Sequence, residues 1–182
     1  MLGDIGDLSL RSGAVLRSAQ LAYTTYGRLA PDGRNAVLLT HGYTSSQHMA
    51  GRYAGAGPET GAEGSWDGLV GPGKAIDTDR LFVVSSNMLG SSFGSTNAAF
   101  ANPATGKPYG PDFPDITLVD VVNAQKALLD GLGVKHLLAV AGPSFGGYQA
   151  FQWGVTHPDF MDGLVAVVSA PRARAARRRR SR

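Results

Sequence analysis

Residues 139–153 read AVAGPSFGGYQAFQW, and the fold turns on how that stretch is read. Small apolar residues run into Gly142, Pro143 and Ser144, and two more glycines lead into residues that suit a helix. Positions 142–146 fit Gly-x-Ser-x-Gly after an apolar strand and before a helix. In that context the pattern builds a sharp strand-to-helix bend with the serine at its apex. The hydroxyl of Ser144 would then stand clear of the sheet as a nucleophile. Gly142 and Gly146 would remove side chains that clash as the chain doubles back. The backbone N–H of Phe145, at the helix start, would point toward an oxyanion. The bland alternative is a glycine-rich turn with an inert serine.

The surroundings favour a bend within an α/β sheet. Upstream, AVLLT (36–40) and LFVVSS (81–86) are short apolar runs of the buried-strand type. HLLAVAG (136–142) and GLVAVVSA (163–170) are two more. Residues 14–26 alternate in part and read as an early strand or hairpin arm. Residues 118–132 place Leu118, Val121, Val122, Gln125, Leu128, Leu129 and Leu132 on one helical face, and Gly131 and Gly133 stop that helix. Residues 145–157 form a second helix. Strands alternating with helices imply βαβ units and a mostly parallel sheet covered on both faces. The glycine-rich segment 51–73 and the proline-rich segment 101–115 read as irregular excursions. No repeat or domain linker is visible.

In such a sheet, function gathers beyond the carboxyl ends of the strands. The loop HGYTSS (41–46) leaves one of them and supplies the second half of an oxyanion hole: the N–H of Tyr43, with Gly42 allowing close approach. His41 precedes the serine, whereas enzymes with this bend order their triad serine, acid, histidine. It therefore reads as a satisfied turn histidine, not a base. His48 lies in the loop, His136 opens a strand, and His157 ends the helix after Ser144, where it suits a dipole cap. Asp159 and Asp162 read as solvated loop residues. No metal-ligand spacing occurs, so no metal is expected.

Composition bounds the rest. The 182 residues suffice for one domain with a full core, and 43% hydrophobic against 17% charged residues describes a folded chain. With no cysteine, disulfides, thiolate ligation and cysteine catalysis are excluded. The net charge of +3 is concentrated in RARAARRRRSR (172–182), which holds seven of the 17 basic residues; the remainder carries 10 basic and 14 acidic residues. That tail lacks interleaved aromatics, so no nucleic-acid partner is expected. No signal peptide or membrane-length apolar run is visible, so the expected location is cytoplasmic, with no membrane partner.

At these residues the sequence resembles the homoserine O-acetyltransferase family of the α/β-hydrolase superfamily. The likeness covers about residues 8–171. It rests on LAYTTYG, NAVLLTHGYTSS, WDGLVGPGKAIDTDRLFVVSSNMLGSSFGST, NPATGKPYGPDFPDIT and DVVNAQKALLDGLGV, in family order. The resemblance implies an α/β-hydrolase fold and acyl transfer through an acyl-serine. Ser144 would attack acetyl-CoA as co-substrate, with no bound cofactor. The N–H groups of Tyr43 and Phe145 would hold the intermediate, and a small hydroxyl acceptor would take the acetyl group.

Two departures accompany the likeness. The family elbow is usually Gly-Gly-Ser-Met-Gly-Gly-Met-Gln, whereas here it is GPSFGGYQ, so Pro143, Phe145 and Tyr148 make a more aromatic wall. That keeps a serine hydrolase or esterase open. Family members also continue for another half-chain bearing a lid, the catalytic aspartate and the catalytic histidine. The expectation is therefore a partial α/β-hydrolase domain over 1–171, ending after the strand that follows the nucleophile helix, and a disordered non-family tail over 172–182. No catalytic acid or base is expected in this chain, and hence little activity, leaving a non-catalytic fragment as a further reading. An uncovered sheet edge would favour self-association.

Overall fold

A computed structural model describes residues 1–52 and 63–171. In chain order the main elements are β1 (Leu2–Ser9), β2 (Val15–Tyr26), β3 (Ala36–Thr40), β4 (Val70–Gly71), β5 (Ile76–Asp77) and β6 (Phe82–Ser86). There follow α1 (Leu118–Gly131), β7 (Leu137–Pro143), α2 (Phe145–Thr156) and β8 (Leu164–Val167). Six strands make one sheet in the order β1-β2-β6-β3-β7-β8, and β4 pairs only with β5. The steps from β6 through β3 and β7 to β8 are parallel, while β2 pairs antiparallel with both β1 and β6. The fold is thus the mostly parallel sheet with flanking helices that the α/β-hydrolase reading requires.

The central strands follow from their composition. Every residue of β3 and β6 is buried, because both faces of the sheet are covered there. The main core gathers Leu38, Val84 and Val140 from the sheet with Val122, Leu128 and Leu129 from α1 and Trp153 from α2. α1 begins where Thr117 and Asp120 form a reciprocal capping box. Asp120 Oδ1 also accepts the N–H of Arg11 at 2.7 Å, tying the helix start to the β1–β2 turn. The helix ends at Gly131, but Gly133 (φ +81°) takes the left-handed conformation.

Three features differ from the sequence reading. The first ten residues, read only for targeting, form β1, whose register on β2 is interrupted at Gly6 (φ +68°). The last strand is shorter than 163–170 because Val168 adopts φ +50° and ends the extended run. Although apolar, β8 is not buried: Leu164, Val165 and Val167 are 39%, 50% and 40% exposed on this edge strand. The Arg-rich segment 172–182 and residues 53–62 of the glycine-rich excursion lie outside the described residues.

Candidate active site

Ser144 sits between β7 and α2 with φ +52° and ψ −117°, a conformation that a non-glycine residue adopts only when its surroundings force it. Three features force it here. A Cβ on Gly142 would lie 2.2 Å from Thr40 Oγ1 and 2.5 Å from Thr40 O, and one on Gly146 would lie 2.2 Å from Thr40 O. Both positions thus demand glycine, and α2 packs directly on the end of β3. Thr40 Oγ1 donates to Gly146 O at 2.9 Å, fixing that approach. The Ser144 N–H donates to Val167 O at 2.8 Å, so the bend is also anchored to β8. The side chain is left exposed, with no capping hydrogen bond to the helix it precedes.

The loop after β3 comes up beside this apex. A Cβ on Gly42 would lie 3.8 Å from Ser144 Cβ, and the rings of Tyr43 and Phe145 meet edge to face at 5.7 Å. Among the described residues, the backbone N–H groups of Tyr43 and Phe145 donate to no protein acceptor. Two residues next to the exposed serine thus have backbone amides with no partner among the described residues. Beside them opens a cleft of about 400 Å³, walled by Tyr43, Phe145, Met88, Leu89, Ile116 and Leu118. Among the described residues, none of its lining side chains is charged.

The histidines are engaged elsewhere. His41 is fully buried, with Nδ1 2.8 Å from Gly42 O and Nε2 2.9 Å from Asn87 Oδ1. Asn87 Nδ2 donates to Ser92 O and Ser95 Oγ, so this one side chain joins the loops after β3 and β6. Burial pushes the His41 pKa below its ordinary value, partly opposed by its contacts with Gly42 and Asn87. His136 Nε2 meets Asp162 Oδ1 at 2.7 Å, so Asp162, read as merely solvated, is an exposed hydrogen-bond partner. His157 lies at the C-terminal end of α2 with its ring 5.1 Å from that of Trp153, and burial lowers its pKa too. No hydrogen bond joins a histidine or carboxylate to Ser144 Oγ among the described residues.

Sequence reasoning overlooked Asn87, Gln125 and Gln149 as a group. Both glutamines are fully buried, and Gln149 Nε2 donates to His41 O at 3.1 Å. The available signal was an amide side chain inside each helix's apolar stripe, where an unpaired polar group is costly.

A strained, exposed serine at a strand-to-helix bend defines a class of protein. Residues 35–179 match the alpha/beta hydrolase fold family, and the chain belongs to it. Within that class it is similar to the homoserine O-acetyltransferase of Moorella thermoacetica, with 50% identity over 165 residues, 91% of this chain and 43% of that protein. It is also similar to the homoserine O-succinyltransferase of Leptothrix cholodnii, with 51% identity over 164 residues, 90% of this chain and 43% of that protein. Among solved structures it superposes on esterase E22 with a TM-score of 0.83 and 37% identity, over 91% of this chain and 46% of that one. The chain spans less than half the length of the curated relatives it matches. No helix among the described residues is long and apolar enough to cross a membrane.

Proposed function

We propose that this chain carries the nucleophile and the oxyanion hole of an O-acyltransferase of the homoserine O-acetyltransferase type. Ser144 Oγ attacks the thioester carbonyl of acetyl-CoA, and the carbonyl oxygen takes up the displaced electron pair. The N–H groups of Tyr43 and Phe145 hold that oxyanion. Collapse of the intermediate breaks the carbon–sulfur bond and leaves an acetyl-serine, with the serine proton ending on the departing thiol. A small hydroxyl acceptor, homoserine by similarity to the relatives, then attacks the ester and regenerates Ser144. The observation that carries this reading is the strained, exposed Ser144 at the strand-to-helix bend, next to residues whose backbone amides are unspent among the described residues.

Ser144 lacks a hydrogen-bonded base among the described residues, so positioning and oxyanion stabilisation act alone. Those contributions are worth roughly 10³–10⁴-fold over water in enzymes stripped of their triad. This chain by itself therefore acetylates slowly.

A serine esterase is the second reading, with water replacing the alcohol. The aromatic wall favours it, made in the cleft by Tyr43 and Phe145 and not by Tyr148, which packs on Phe145 outside the lining, as does the likeness to a solved esterase. Incubation with acetyl-CoA, with and without homoserine, separates the two. Homoserine-dependent CoA release supports the transferase; release at the same rate in water alone supports the esterase. Equal release by the chain and its Ser144→Ala variant would sink both.

A further inference from the structure

Four fully buried groups lie in line behind the candidate oxyanion loop. Trp153 Nε1 donates to Gln125 Oε1 at 2.7 Å, Gln125 Nε2 donates to Gln149 Oε1 at 2.7 Å, and Gln149 Nε2 donates to His41 O at 3.1 Å. The run crosses from α2 to α1, returns to α2 and ends on the backbone where β3 gives way to the loop. An indole N–H can only donate, so it dictates that Gln125 presents oxygen to Trp153 and nitrogen to Gln149. Gln149 is oriented in turn: its oxygen accepts from Gln125, and its amide nitrogen donates to His41 O. Turning either amide over would set two donors or two acceptors face to face in a dry interior.

The run ends one peptide short of the candidate oxyanion donor. Gln149 pins the carbonyl of the His41–Gly42 peptide. The carbonyl of the next peptide, Gly42 O, accepts from the Ser45 N–H at 3.1 Å and lies 2.8 Å from His41 Nδ1. In a trans peptide the N–H points opposite the C=O, so two pinned carbonyls aim the N–H of Tyr43. We propose that Trp153, Gln125 and Gln149 form a one-way hydrogen-bond chain that positions the His41–Tyr43 loop and thereby sets one of the two oxyanion donors. The structural part stands on the contacts alone, while its consequence for acyl transfer rests on Ser144 being the nucleophile of the proposed function.

The Ser45 amide reports on the loop without any chemistry. Hydrogen exchange resolved at Ser45 is compared in the full chain, Gln149→Met, Gln125→Met and the double variant. Gln125→Met leaves Gln149 in place and carries the test if Gln149→Met does not fold. Each single variant is expected to speed Ser45 exchange roughly tenfold, the size of one lost buried hydrogen bond. The double variant should go no further, because the links act as a unit. Exchange at Val155, exposed on α2, should stay as it was. A Gln125→Met chain that folds with Ser45 exchange unchanged overturns the inference. Acetylation of Ser144 by p-nitrophenyl acetate, measured in parallel, is expected to slow by about tenfold to a hundredfold in the same variants. Ser45 exchange decides the positioning question even if that chemistry fails.

Discussion

The two loops that flank Ser144 are built in opposite ways. The bend at 142–146 is fixed by its own residues: two glycines that tolerate no Cβ against Thr40, and a serine driven to φ +52° between them. The loop at 41–45 has no such steric lock, since a Cβ on Gly42 would meet its neighbours only at 3.8 Å, an ordinary contact. Side chains from distant parts of the chain hold it instead. Asn87 is 46 residues away from His41 and Gln149 is 108. One donor of the candidate oxyanion hole is thus shaped by backbone sterics, and the other by a buried polar network.

The sharpest way to break this contrast is to add one methyl group to each loop. Gly146→Ala drives a Cβ into the backbone of Thr40, which cannot yield without separating α2 from β3. Overpacking of that kind costs about 3 kcal/mol, or a fall in Tm of roughly 10 °C for a chain of this size. A melt within about 2 °C of the parent would show that the bend is not sterically locked. Gly142→Ala should behave similarly, because its Cβ also meets Thr40.

Acid should act mainly on the other loop, with a smaller effect. His41 and His157 have pKa values lowered by burial, so the unfolded chain takes up their protons first. Their contribution to stability is present above the ordinary histidine value of 6.5 and is lost as pH falls through the lowered folded values. The carboxylates of Asp7, Asp67 and Asp77 are held below their ordinary 3.8 and lose their contribution only at lower pH. Melting temperatures should therefore fall as the pH is taken from 7.5 to 5. Ser45 exchange should rise before exchange in α1. A flat Tm across that interval contradicts the burial argument.

Gly42→Ala is expected to change least in stability, with Tm within about 2 °C of the parent. Its methyl group would project toward Ser144, so acetylation should slow while the fold is untouched. A large loss of stability would place a steric lock in this loop as well, and the contrast would disappear.

The same contrast explains what the sequence made legible. The bend could be read because glycine, serine and glycine lie within five residues, between an apolar strand and a helix. The order of strand and helix followed equally well from short apolar runs such as AVLLT and from the periodic face of α1. β1 was overlooked because its polar alternation, broken by Gly6, carries little apolar signal. β8 looked buried because its residues are apolar, yet its position at the sheet edge leaves them exposed. Tyr43 could be marked from the His-Gly at a strand end, but the network behind it could not. Nothing in a linear sequence says that Gln125 meets Gln149, or that Trp153 fixes the direction of both.

The most direct test is to treat the chain and its Ser144→Ala variant with p-nitrophenyl acetate and locate the acetyl group by peptide mass spectrometry. The account predicts a single acetyl that accumulates slowly on Ser144 in the parent and is absent at that position in the variant. Acetyl spread over lysines, with Ser144 unmodified and both chains releasing p-nitrophenolate equally, would contradict it.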